Sequence, residues 1–350
     1  MKILITGGAG FIGSNLAVRF RGVFSDAVIV AMDNLYRRGS ELNLPRLREN
    51  EIQFHWGDIR DPDTFPNEPF DFIVECSAEP SILAGQDGHP RYLIQTNLLG
   101  AFHCLEKARL WKSGFLFLST SRVYPVARLE SHPWGEHETR FVWKDHGTAG
   151  ITARGVQETL DMRGTRSLYG FTKYAVEQLI EEYCNAYGLR AVVNRCGVIA
   201  GPWQFGKVDQ GIASLWVMAH YFKKSLSYLG YGGSGKQVRD FLHIDDLCDL
   251  IVEQLQDFAR WEGWVGNVSG GFENSASLGE LTALCCEVTG RTTSITPGAV
   301  TRPNDLRIFI GDCTNLFQRT NWRPRKRVRS IIADTAAWVH DNESLLRNLI

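Results

Sequence analysis

The sequence has no run of 18 consecutive apolar residues among its 350, so no part of it reads as a membrane-spanning helix. It has no surplus of charge either. Its 38 Lys and Arg side chains face 39 Asp and Glu, a net charge of -1, so neither nucleic acid nor a membrane surface is an expected partner. The eight cysteines (76, 104, 184, 196, 248, 285, 286 and 313) include no C-x-x-C pair and no spacing suited to zinc or a disulfide framework, and all are read as reduced. Repeats, low-complexity tracts and a linker rich in Pro, Gly and Ser are missing as well, which leaves one large domain or two closely joined ones. The opening MKILITGG has one lysine and a short apolar run without a small-residue cleavage pattern, and a cytoplasmic protein is expected. What is left is a neutral chain, long enough for an enzyme and suited to a small-molecule partner.

Short apolar runs alternate with longer segments of helical period through the first half. KILIT (2 to 6), AVIVAM (27 to 32), IQFH (52 to 55), DFIVEC (71 to 76) and FLFLS (115 to 119) read as strands buried on both faces. Helices are expected between them, among them Tyr92 to Leu110 and Tyr169 to Tyr187, the latter followed by a strand at LRAVVNR (189 to 195). This alternation predicts an α/β fold with a doubly wound parallel sheet. Beyond Gly197 the pattern loosens into glycine-rich turns and a helix near 210 to 224, which suggests a smaller C-terminal α/β cap. The boundaries expected are 1–196 for the sheet domain and 197–350 for the cap, with crossings of the chain between them. The basic run RPRKRVR (323 to 329) reads as a solvated surface loop.

TGGAGFIGSN sets Gly7, Gly10 and Gly13 directly after the first strand, where the chain turns into a helix beginning near Phe11 and Ile12. Glycines there allow a tight turn, a close backbone approach to a pyrophosphate and close packing of helix on sheet. Asp33 follows twenty positions after Gly13, at the end of the second strand, where a carboxylate takes both ribose hydroxyls of NAD. A glycine turn with a helix-capping aspartate is the alternative, and the strand before and the helix after favour the Rossmann-type dinucleotide site. The carboxylate would repel a 2'-phosphate; Arg37 and Arg38 keep NADP as a second cofactor to consider. Asn34, Asp58 with Ile59, Ser77 and Asn97 are further candidates around the cofactor, the Asp58–Ile59 pair toward adenine and Asn97 beneath the loops.

SLYGFTK places Tyr169 four residues before Lys173, so both project from one helix face. A phenol with a pKa near about 10 is a poor base at neutral pH; a nearby ammonium favours the phenolate and makes proton abstraction feasible. FLSTSRVYP ends a strand in a cluster of hydroxyls, and Thr120 supplies a donor to orient a sugar hydroxyl and stabilise its developing charge.

The glycine pattern, the strand-ending hydroxyl and the Tyr169–Lys173 pair resemble the extended short-chain dehydrogenase/reductase family, in particular its NAD-dependent nucleotide-sugar epimerases and dehydratases. The resemblance implies a nucleotide-diphosphate sugar as substrate, NAD held by the residues above and by Tyr169 and Lys173, and a homo-oligomer, dimer or tetramer. Dehydratases of the family carry an Asp-Glu pair after the threonine; here Ser121 and Arg122 stand there, which favours epimerisation. WQFGKVDQG (203 to 211), GSGKQVRDFLHIDD (233 to 246) and the insert opening with HETRFV (137 to 142) are similar to the branch that inverts C2 of CDP-activated paratose and tyvelose through a transient 2-keto sugar. That branch implies Arg239, Arg302 and Arg307 at the phosphates or nucleotide, Gln204, Phe205, Asp209 and Gln210 around sugar and base, and Glu79, Ser121 and Arg122 toward the substrate. The family's His-Leu-Ala-Ala-Gln after the fourth strand is Glu75-Cys-Ser-Ala-Glu79 here, and Gly197 opens a run that departs from the usual Asn-x-Tyr-Gly-Pro. A UDP-galactose-type 4-epimerase and a non-catalytic NAD-binding sensor or scaffold are the alternatives. His243 with Asp245 and Asp246 reads as packing and helix capping, and no metal is expected.

Overall fold

The computed structural model describes residues 1–86, 88–144, 147–206 and 211–347. Its largest sheet has seven strands: β1 (Lys2–Thr6), β2 (Val28–Asp33), β3 (Gln53–Trp56), β4 (Phe72–Glu75), β5 (Gly114–Thr120), β6 (Ala191–Cys196) and β7 (Trp264–Val268). They lie in the order β7-β6-β5-β4-β1-β2-β3, and the pairs β1–β2, β2–β3, β1–β4 and β4–β5 are parallel. The order reverses between β1 and β4. A parallel pair needs a crossover, and the helices α1 (Phe11–Val23), α2 (Ala101–Trp111) and α3 (Leu168–Tyr187) supply three of them.

The chain forms two compact units. The first comprises Met1–Val123, Ser167–Arg195 and Cys248–Val265; the second comprises Tyr124–Arg166, Cys196–Leu247 and Gly266–Ile350. In the first unit Leu4, Ile73, Phe115 and Phe117 of the sheet meet Cys104 and Leu105 of α2 and Val176 and Ile180 of α3 in one buried cluster. β3 departs from the expected buried strand. Among the described residues it lies at the sheet edge and pairs only with β2, and Phe54 and Trp56 are 37% and 59% exposed. The single helix expected over 92–110 has a π-helical turn at Gln95–Gly100, between Arg91–Ile94 and α2. Asn97 sits inside that turn. No disulfide joins any of the eight cysteines, and no described helix is long and apolar enough to cross a membrane.

The second unit centres on Val238–His243, which pairs with Val198–Ala200, Ser275–Ser277 and Ile308–Phe309. Helices Ile212–Phe222, Leu278–Thr289 and Val328–Asp341 bury Trp216, Leu281, Ile331 and Trp338 around Phe241. His243 is buried, and its Nδ1 accepts from the Asp245 amide at 2.9 Å, which caps the helix that starts there. Asp240 is buried as well; one carboxylate oxygen accepts from Ser269 Oγ and from the amides of Gly271 and Gly311, at 3.0 and 2.9 Å for the amides. Burial outweighs these donors and lifts its carboxyl to about 6. A carboxyl whose folded pKa is raised stabilises the fold fully below its unfolded value near about 4, and that contribution fades as pH climbs through the folded value. Between pH 4 and pH 7 the wild type should therefore lose on the order of 3 kcal/mol of unfolding free energy relative to Asp240→Asn. Urea melts of both proteins at the two pH values check this; parallel pH dependences would contradict it.

Candidate active site

β1, β2, β4 and β5 run in one direction, so their carboxyl ends bring Thr6, Asp33, Glu75 and Thr120 to one edge of the sheet. The reversal of strand order between β1 and β4 opens a crevice there, the usual ligand position in open α/β sheets. The glycine turn fills it from β1. Gly7 has a φ of +64°, and a Cβ on it would come within 2.9 Å of the Cys76 carbonyl and the Ser77 amide at the end of β4. A Cβ on Gly13 would stand 2.2 Å from the Gly7 oxygen. Only glycine lets the turn close so far on itself. The Gly10 amide bonds the Gly7 carbonyl at 3.0 Å, and Gly10 caps α1 without a side-chain bond. The first turn of α1 holds no acid, and the helix itself offers no acceptor to the amides of Phe11, Ile12 and Gly13. That positive, donor-rich end fits a pyrophosphate.

Asp33 completes the cradle. Its carboxylate accepts from the amides of Ala9 at 3.1 Å and Leu35 at 2.8 Å, and burial raises its pKa against those bonds. Asn43, not singled out in the sequence, donates to the Ala9 carbonyl at 2.8 Å and braces the turn from below. Asn34 donates to Asp58 at 3.0 Å, and Arg60 forks the same carboxylate. Burial opposes ionisation of Asp58, but Arg60 and Asn34 together hold it down at about 2. Arg60 also lies 5.1 Å from the centre of the Tyr92 ring, and Tyr36 packs on that ring at 4.9 Å. The Ile59 side chain goes to the core against Gly100, while its carbonyl accepts from His103. Asn97 accepts from the Glu79 amide at 2.8 Å and donates to the Glu79 carbonyl at 2.9 Å, so it ties down the loop after β4. A glycine cradle, an uncapped helix start and an acid at the end of β2 together fit a dinucleotide.

At the end of β5 the hydroxyls divide their tasks. Ser119 donates to Glu177, whose carboxylate is forked by Arg195 at 2.7 to 3.2 Å, all three side chains buried. Thr120 accepts from the Arg122 amide at 3.2 Å and keeps its own proton to give. Ser121, Arg122 and Val123 form a short turn with no carboxylate. Ser167 caps α3 by accepting from the Gly170 amide at 3.1 Å, which places Tyr169 in the first turn, where the helix dipole favours a phenolate. Lys173 is one turn further on. Its ammonium meets Glu75 Oε2 at 3.3 Å and lies 4.4 Å from the centre of the Phe117 ring, with the two charged side chains 3% and 1% exposed. Burial raises the Glu75 carboxyl, and the Lys173 ammonium and the Ser77 amide pull it back. The sequence marked Glu75 only as a departure; its partner is 98 positions away.

The second unit holds the remaining candidates. Arg239 donates to Asp305 at 2.7 Å and to the Val238 carbonyl at 2.7 Å. The Arg307 guanidinium pairs with Glu130 and lies 4.6 and 4.8 Å from the ring centres of Trp134 and Tyr231. Arg302 sits on the same loop, its carbonyl accepting from the Asp305 amide. Gln204 is buried, donating to the Ile199 carbonyl at 3.0 Å and accepting from Ser214 at 2.8 Å, which gives its amide a structural task. Phe205 packs on Trp338 at 5.7 Å. Asp209 and Gln210 lie outside the described residues.

The sequence profile of the NAD dependent epimerase/dehydratase family matches residues 3–265. The chain belongs to that family. It is therefore an NAD-dependent enzyme of the epimerase/dehydratase type. The chain is 30% identical to CDP-paratose 2-epimerase of Salmonella typhi over 97% of this chain and 99% of that protein. It is 29% identical to dTDP-glucose 4,6-dehydratase of Streptomyces antibioticus over 98% and 94%. In fold it is similar to UDP-glucuronic acid 4-epimerase of Bacillus cereus, with a TM-score of 0.78 and 24% identity over 97% of this chain and 99% of that one.

Gly13→Ala tests the cradle, because the new methyl would stand within 2.2 Å of a backbone oxygen and force the turn apart. NAD binding measured by calorimetry should weaken about tenfold or more, or about 1.4 kcal/mol. Unchanged affinity in the folded variant would mean that the turn does not hold the dinucleotide.

Proposed function

We propose that this enzyme inverts C2 of a nucleotide-diphosphate hexose of the CDP-paratose/CDP-tyvelose kind, through a transient 2-keto sugar. The observation that carries the choice of epimerisation over dehydration is the turn after Thr120. Ser121 and Arg122 provide no acid to protonate a departing hydroxyl and no second base to draw a proton from the neighbouring carbon. The choice of C2 rests on the similarity to CDP-paratose 2-epimerase along nearly the whole chain.

A C–H beside a sugar hydroxyl is too weakly acidic for direct deprotonation, so inversion needs oxidation first. NAD, when bound, supplies the reversible hydride acceptor for that oxidation. The chain's own residues do the rest. The amides of Phe11, Ile12 and Gly13 at the start of α1 would hold the pyrophosphate, and Asp33 would take the ribose hydroxyls. Thr120 donates to the sugar oxygen and steadies its charge, while Tyr169 removes the hydroxyl proton. Lys173 and the helix dipole favour the phenolate. Arg239 and Arg302, whose guanidiniums fork onto phosphate oxygens, are assigned to the substrate diphosphate. Held there alone, the sugar can turn about its bonds to the diphosphate and be reduced on its other face.

A panel of nucleotide hexoses tests the reading, with products identified by nuclear magnetic resonance. Inversion at C2 with a CDP-linked hexose is expected, and inversion at C4 of a UDP-hexose with C2 unchanged would replace this proposal by the 4-epimerase reading. Tyr169→Phe deletes only the ionisable oxygen and should lower turnover by at least about a hundredfold, the lower range of general-base catalysis, with NAD still bound. Near-normal turnover would remove Tyr169 from the base role.

A further inference from the structure

Lys173 is asked to favour a phenolate on Tyr169, yet in this chain its ammonium already has a carboxylate partner. Glu75 ends β4, a strand that is otherwise apolar, and reaches Lys173 at 3.3 Å with both side chains almost fully buried. Among the described residues the Glu75 Oε1 oxygen has no hydrogen-bond partner, while the Ser77 amide and Lys173 favour the charged form. An acid so enclosed costs several kcal/mol unless its charge is used. The groups facing it are few. β1 presents Thr6, its register partner; β5 presents Phe117; α2 presents Cys104; and α3 presents Lys173 with Tyr169 one turn earlier. Cys104 is kept as a neutral thiol by burial and by the Glu75 charge itself. Glu177, one turn beyond Lys173, is spent on Arg195. Glu75 and Lys173 are therefore a buried charged pair whose lysine stands one helical turn after Tyr169 on the same face of α3.

We propose that Glu75 is a positioning residue for the proton-transfer pair: its carboxylate holds the Lys173 ammonium against the Phe117 ring and offsets part of its charge, so that Tyr169 ionises at a higher pH than it would beside a lone ammonium. This rests on the reading of Tyr169 as the base. Glu75→Gln is the decisive variant, because the amide oxygen still accepts from Lys173 and the Phe117 face still supports the ammonium, while the negative charge is gone. The acidic limb of the kcat/KM profile should then move down by about one pH unit, the low end of what the loss of one nearby charge does. Glu75→Asp keeps the charge and should move the limb by less.

A second measurement needs no substrate. Tyrosinate absorbance is titrated in the NAD-bound protein, and the titration of its Tyr169→Phe counterpart is subtracted to isolate Tyr169. The Tyr169 signal should appear about one pH unit lower on the Glu75→Gln background than on the wild type. A wrong substrate assignment leaves this readout intact, so its outcome is separate from that of the proposed reaction. Equal Tyr169 titrations in the two folded proteins would overturn the proposal, as would a Glu75→Asp shift as large as that of Glu75→Gln. If Glu75→Gln fails to fold, the comparison passes to Glu75→Met, which removes the charge at similar length: a Tyr169 titration about one pH unit below that of the wild type supports the proposal, and an unmoved one overturns it.

Discussion

Everything at the candidate site depends on the reversal of strand order between β1 and β4. A parallel sheet sends all its carboxyl ends to one edge, but only where two neighbouring crossovers leave in opposite directions does the edge stay open. The glycine turn after β1 must then pass within contact distance of the backbone after β4, which is why Gly7 has no room for a Cβ, and it folds back on itself so tightly that Gly13 has none against the Gly7 oxygen. The same geometry sets Asp33, Glu75 and Thr120 in a row across the sheet, each the last residue of its strand. The position of α3 then decides which of these end residues meets Lys173.

Buried charge is the second constraint. Two ion pairs, Lys173 with Glu75 and Arg195 with Glu177, lie within one turn of each other along α3. Neither is a cheap way to hold a fold together, since desolvation of each ion is costly and an apolar pair of similar shape often does as well. Their value is in orientation. Glu177 draws Ser119 and Arg195 together at the end of β5, while Glu75 holds the Lys173 ammonium one helical turn after Tyr169.

Much of this was legible in the sequence because it is local. The glycine spacing, the acid at the end of β2 and the i, i+4 tyrosine and lysine each sit within a single turn or element, and period and turn chemistry reveal such things directly. The long-range partners were not legible. Glu75 and Lys173 are 98 positions apart, and Glu177 meets Ser119 across 58, so nothing in either stretch signals the other. The bonds of Gln204 were not legible either: resemblance suggested a substrate contact, and the structure adds bonds of its amide to Ile199 and Ser214. The edge position of β3 was hidden because a short apolar run looks alike in the middle of a sheet and at its border.

The central claim is that one carbon is oxidised and reduced again while Tyr169 handles only the hydroxyl proton. Deuterium placed at C2 of the nucleotide hexose tests it most directly. The account predicts that the label stays at C2 of the inverted product, with little solvent hydrogen incorporated and no net reduced cofactor released. Loss of the label to water would contradict it, since that would mean removal of the C2 hydrogen as a proton.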